Sequence, residues 1–197
     1  MWFYRIDEKK KDLVRQLVWN GQLELIQGGW SAPDEACPNY DEFITNMYIG
    51  HNFMKKEFGV TSKIGWQIDA FGHSSAHTAL LADFGFEALF FTRIEQRTRE
   101  QLQKEQADTF LWRPFSKHFG NQKQVLTIMT KKDYAFPDGF KYDERYNENS
   151  PVITDKSLDH YNAEYKAVQF INQAIDALAL QKNKGNLMMF WGDDFAF

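Results

Sequence analysis

The chain has 197 residues, 43% hydrophobic, 16% aromatic and 25% charged, which is the composition of a folded globular domain and excludes disordered, collagen-like and disulfide-scaffold classes. Lys plus Arg number 23 and Asp plus Glu 27, and the net charge of −4 gives phosphate-backbone binding no footing, so no nucleic-acid partner is expected. No uncharged apolar run reaches the roughly 18 residues of a membrane span, and Cys37 has no second cysteine with which to form an internal disulfide.

Residues 8–20 place Leu13, Val14, Leu17 and Val18 on one helical face, with Gly21 as the stop. The run Lys9-Lys10-Lys11 lies among Asp7, Glu8 and Asp12 and reads as a solvated helix end. Residues 22–26 form a predicted strand that runs into Gly28-Gly29-Trp30, and Pro33, Cys37 and Pro38 then break a loop. Asn39 and Glu42 have the spacing of a capping box, opening a helix whose Phe43, Met47, Gly50 and Met54 share a face and which Gly59 closes.

Strands are expected at 63–68, 88–91, 109–115 and 125–130, with helices over 74–84, closed by Gly85, and over 94–107. Residues 131–153, with Pro137, Gly139 and Pro151, read as a long functional loop. Thr154 or Asp155 caps a predicted helix with a stripe of Ala163, Ala167, Phe170, Ile171, Ala174 and Leu178, ended by Lys184-Gly185. Residues 187–191 complete the series as a buried strand. Alternating strands and helices, with strands apolar on both faces, predict an α/β fold with a helix-covered parallel sheet. A chain that stops just after a strand reads as part of a larger unit.

Two segments carry candidate chemistry. In Trp66-Gln67-Ile68-Asp69-Ala70-Phe71-Gly72-His73-Ser74, a carboxylate ends a buried strand ahead of a helix, on the edge where parallel α/β folds build active sites. Such a group serves as nucleophile, base or metal ligand, or merely caps the helix. In Phe190-Trp191-Gly192-Asp193-Asp194-Phe195 an acidic pair follows a strand, and crowding of two carboxylates raises one pKa toward that of a general acid, unless the turn is simply solvated. Two carboxyls at one rim cleave glycosides, by retention at about 5 to 5.5 Å and by inversion at about 6.5 to 9.5 Å.

Other residues are weighed against these. His73 and His77 are four apart, but no Glu follows His73, so a surface or half-buried helix face outweighs a metal pair. Asp34-Glu35 reads as a solvated loop pair near the rim. Arg93, after Phe90-Phe91, either holds an acid or sugar hydroxyl or makes a surface ion pair. Asp83-Phe84-Gly85 spells a kinase tripeptide, yet the chain lacks the accompanying Gly-rich loop and His-Arg-Asp element.

At these residues the sequence resembles glycoside hydrolase family 38, the class II α-mannosidases of lysosome and Golgi. The likeness runs through Gly21-Gln22-Leu23-Glu24, Gly28-Gly29-Trp30, Pro33-Asp34-Glu35-Ala36, Trp66 to Ser74, Gly85-Phe86 with Phe90-Phe91 and Arg93, and Gly192-Asp193-Asp194-Phe195. It implies a partial parallel β/α barrel, seven-stranded in the family and truncated here at both ends. It implies retaining hydrolysis of α-mannosides of N-glycans with zinc as cofactor. Asp69 is then the nucleophile and one zinc ligand, and Asp194 the general acid and base. Phe71, Arg93 and Tyr134, the last in Tyr-x-x-Pro-x-Gly-Phe, become substrate contacts. Ala70 stands where the family has Pro, and the family's other zinc ligands have no counterpart in this chain. That gap supports an alternative, a catalytically inactive fragment or glycan-binding remnant. A polysaccharide deacetylase is a third reading, disfavoured by Asp194 in its motif. The resemblance implies lysosome or Golgi.

Overall fold

The computed structural model describes residues 2–130, 134–141, 151–179 and 186–194. The chain forms two compact units. One comprises Met1–Arg93 and Phe110–Ile128, the other Ile94–Thr109 and Met129–Phe197.

The first unit opens with α1 (Trp2–Arg5) and α2 (Glu8–Trp19), the latter capped by Asp7, whose carboxylate accepts the Lys10 N–H at 2.9 Å. The expected face is only partly buried, and Leu13 is exposed. Arg15 turns inward instead, its Nη2 donating to the Glu57 carboxylate at 2.9 Å and its Nε to the Glu57 carbonyl at 3.2 Å. α3 (Tyr40–Phe58) buries the predicted Phe43, Met47, Gly50 and Met54, and Glu42 reaches back to the Asn39 N–H at 2.7 Å. Gly59 ends it with φ +76°, a left-handed cap that suits glycine.

β1 (Ile64–Gln67), α4 (Ser75–Asp83) and β2 (Ala88–Phe91) form a strand–helix–strand unit. β1 and β2 pair in parallel, Ile64 opposite Ala88 through Gln67 opposite Phe91. β3 (Thr109–Trp112), α6 (Ser116–Phe119) and β4 (Val125–Met129) follow, α5 (Gln96–Lys104) having preceded them, and the four-stranded sheet runs β1-β2-β4-β3. Phe43, Met47, Leu81, Phe86, Leu89 and Val125 form the core between α3, α4 and the sheet.

Residues 22–26 form no strand. Leu23 N–H bonds back to the Leu17 carbonyl at 2.9 Å, so the segment starts as the exit of α2. Only Gln27 meets the edge of β1. Its N–H donates to the Ile64 carbonyl at 2.7 Å, and its side-chain oxygen accepts the Trp66 N–H at 2.5 Å. Positive φ at Gln27 and Gly28 then turns the chain off the ladder. β3 is shorter than predicted because Pro114 and Phe115, the latter at φ +53°, end it.

In the second unit the long helix α7 (Ala163–Ala179) starts well after Thr154 and Asp155. Asp155 instead caps a local turn, accepting from the Ser157 N–H at 2.9 Å, while the Asn162 carbonyl receives the first helical bond, from Lys166 N–H at 2.9 Å. Ile171, expected in the buried stripe, is exposed, and Lys166 is buried, donating to the Gly139 carbonyl at 2.6 Å. The predicted end at Lys184-Gly185 lies outside the described residues. Residues 187–191 are not a strand. Their aromatic end packs as a ring cluster, Trp191 lying 5.5 Å from Phe140 and 5.8 Å from Phe170 by centroid. Of the predicted 131–153 loop, 134–141 and 151–153 are described and irregular.

Candidate active site

Asp69 stands two residues past the end of β1, and Arg93 two past the end of β2. The register pairs residues 24 apart, which is also the separation of Asp69 and Arg93. Arg93 Nε donates to Asp69 Oδ1 at 2.6 Å. The same guanidinium lies over the Phe71 ring, 4.8 Å from its centroid, and Phe71 is 86% exposed. A carboxylate, a cation and an open aromatic face thus share one strand-end rim. That set suits a sugar, since the ring stacks on its apolar face while the charged pair meets its hydroxyls.

The next shell is buried. Glu35, which the sequence reads as solvated, has a side chain only 2% exposed. The turn before it is set by Asp34, whose Oδ1 accepts the N–H groups of Ala36 at 2.6 Å and Cys37 at 3.0 Å. Glu35 Oε2 accepts the Ser74 N–H at 2.5 Å, and Oε1 accepts from Gln67 Nε2 at 3.1 Å. His77 Nδ1 lies 3.2 Å and His73 Nδ1 3.5 Å from Oε1, within ion-pair range though off hydrogen-bond alignment. Burial alone pushes the Glu35 carboxyl up, but the neighbouring His73 and His77 and the Ser74 N–H outweigh it and hold its pKa down at about 2. Burial pushes the His73 imidazole down, and Glu35 with the Arg93 carbonyl outweighs that and raises it. His73 and His77 therefore face a carboxylate inside the fold, and neither is on a surface helix face.

In the second unit, Tyr134 donates its hydroxyl to Asp194 Oδ1 at 3.2 Å. Asp193 is ion-paired with Lys141, which, with the Asp194 N–H, holds the Asp193 carboxyl below its ordinary value. For Asp193 the expected crowding is thus met by a lysine and answered with a lowered pKa. Asp69, Phe71 and Arg93 form one group and Tyr134 and Asp194 another, in different units.

A zinc site was implied by resemblance. Asp69 supplies a suitable carboxylate oxygen donor, but among the described residues no group of three or more His, Cys, Asp or Glu side chains is placed to hold a metal. The described residues therefore do not make a zinc site by themselves.

The sequence reading missed Glu35 and Lys141. No local signal marks Glu35, because the groups that bury it come from the end of β1 and the cap of α4.

Comparison with known proteins places the chain in a family. The model for the glycosyl hydrolases family 38 N-terminal domain matches residues 1–196, and the chain belongs to that family. An Arabidopsis thaliana alpha-mannosidase is 36% identical over 197 residues, all of this chain and 19% of its own length. The Canavalia ensiformis alpha-mannosidase is 34% identical, again over the whole chain and 20% of its own length. A lysosomal alpha-mannosidase of Dictyostelium discoideum is 33% identical over 196 residues, 19% of its length. The chain thus spans about a fifth of the relatives it matches. The crystal structure of an Enterococcus faecalis alpha-mannosidase shares the fold over 94% of the chain and 18% of its own, with TM-score 0.62 at 17% identity.

Proposed function

We propose that this chain supplies the catalytic carboxylates of a retaining α-mannosidase acting on mannosides of N-glycans. The observation that carries the reading is the Asp69–Arg93–Phe71 constellation at the ends of two parallel strands, in a chain of this family. Asp69 attacks the anomeric carbon of the bound mannoside. The glycosidic oxygen leaves, taking a proton from the carboxyl of Asp194, and a mannosyl ester on Asp69 results. Asp194, now a carboxylate, removes a proton from water as that water displaces Asp69, which restores both carboxyl groups and frees mannose. Arg93 holds Asp69 through its hydrogen bond, Phe71 stacks on the sugar and Tyr134 orients Asp194.

The four-stranded sheet with its β1–α4–β2 unit supports a part of a seven-stranded β/α barrel. Zinc would be held with Asp69 as one ligand and the other ligands outside the described residues. When bound, zinc would grip sugar hydroxyls as a Lewis acid. Lysosomal relatives support a lysosomal location, and a Golgi location rests on the family resemblance alone.

The test is Asp69→Asn in the full-length protein. Hydrolysis of an aryl α-mannoside should fall by more than about 10³-fold, and undiminished turnover would overturn the reading. Asp194→Asn should spare an activated dinitrophenyl mannoside in the first step, because that leaving group needs no proton.

A further inference from the structure

The Asp69–Arg93 ion pair is roughly half exposed, with side chains 54% and 39% accessible. Exposed pairs of this kind gain little by themselves and do not fix their own geometry. A nucleophile has to be held to within a fraction of an ångström, so the restraint has to come from behind the rim.

The buried cluster below the rim provides that restraint. Glu35 takes hydrogen bonds from Gln67 at 3.1 Å and from the Ser74 N–H at 2.5 Å. Gln67 is the last residue of β1 and Ser74 the cap of α4, so one carboxylate grips both ends of the turn that carries Asp69 and Phe71. Gln67 also bonds the Pro33 carbonyl at 3.1 Å, which anchors the loop that holds Glu35. The cluster then reaches Arg93 through His73, which faces Glu35 on its Nδ1 side and contacts the Arg93 carbonyl from Nε2 at 2.7 Å. A carbonyl can only accept, so His73 Nε2 carries the N–H that donates to it.

We propose that Glu35 and His73 are positioning residues for the Asp69–Arg93 pair, clamping the β1–α4 turn and the end of β2 into one rigid rim. Glu35 is too deeply buried to touch substrate, so it acts only through the groups it holds. The lowered Glu35 pKa and the raised His73 pKa agree with each side chain favouring the other's charged form. The inference rests on the reading of Asp69 as nucleophile.

The experiment compares Glu35→Gln, His73→Ala and His73→Gln with Asp69→Asn in the full-length protein, using kcat and KM for an aryl α-mannoside, the inhibition constant of free mannose and circular dichroism. Glu35→Gln and His73→Ala should lower kcat by about 10- to 100-fold. KM and the mannose constant should move less than about twofold, since ground-state binding is spared. His73→Gln keeps an amide donor for the Arg93 carbonyl and should restore most of kcat. Wild-type kcat in folded Glu35→Gln and His73→Ala would overturn the proposal, as would a loss that His73→Gln fails to restore or loss of the fold on either substitution. An active Asp69→Asn would instead overturn the functional reading beneath it.

Discussion

Arg93 and Asp69 meet through a hydrogen bond of 2.6 Å because the parallel register of two strands carries past their ends. Lysine in place of Arg93 has a different reach and no planar fork, so it would not hold both the carboxylate and the Phe71 ring. Arg93→Lys and Arg93→Ala should each lower kcat/KM for an aryl α-mannoside, by about 10²-fold for the alanine variant. Steady-state kinetics on the full-length protein check this, and equal kcat/KM for Arg93, Lys and Ala would remove Arg93 from the site.

Phe71 is 86% exposed and has little packing to lose. Phe71→Ala should change unfolding free energy by less than about 0.5 kcal/mol. Its cost should appear in KM, which should rise several-fold as the stacking face is lost. Thermal unfolding and kinetics on the same preparation separate the two. A large fall in melting temperature would make Phe71 a structural residue.

The Glu35 loop also depends on close backbone contact. Asn46 of α3 accepts the Trp30 N–H on its carbonyl at 3.1 Å and the Ser31 N–H on its side chain at 2.9 Å. One turn on, Gly50 has no room for a side chain, for a Cβ there would overlap the Gly28 carbonyl oxygen and stand 2.5 Å from the Gly29 carbonyl carbon. Backbone cannot yield as a flexible side chain can, so Gly50→Ala should destabilise by about 1 to 3 kcal/mol. Gly59→Ala meets nothing but must adopt φ +76°, and about 1 kcal/mol is expected. Chemical denaturation of both variants would show the order, and a milder Gly50→Ala would contradict it.

How far the sequence foretells this molecule depends on the range of the interactions. The α3 face, the β1–α4–β2 unit and the strand-end places of Asp69 and Arg93 are legible, because periodicity, caps and glycine stops are local signals. Residues 22–26 and 187–191 are apolar enough for strands, yet one ends at a positive φ and the other joins an aromatic cluster, outcomes that periodicity cannot distinguish. Glu35 is hidden for a different reason. Beside Asp34 it looks solvated, and the partners that bury it lie 32 and 39 positions along the chain.

That buried carboxylate gives a signed pH prediction. Glu35 has its pKa held down from an ordinary 4.5 to about 2, so its stabilisation is present above about pH 4.5 and is lost as pH falls toward 2. A shift of that size carries on the order of 3 kcal/mol at 1.36 kcal/mol per unit. The raised His73 works in the other direction, for its contribution is complete below its ordinary 6.5 and fades as pH rises through the elevated folded value. The cluster is therefore most stabilising between about pH 4.5 and 6.5. Glu35→Gln removes the acid-side loss and also takes the ion partner from His73, so the difference in melting temperature between wild type and variant should be greatest inside that window and shrink on either side. Melting curves of both proteins taken inside that window and beyond it on both sides test it, and a difference that stays constant with pH would mean that Glu35 does not titrate with folding.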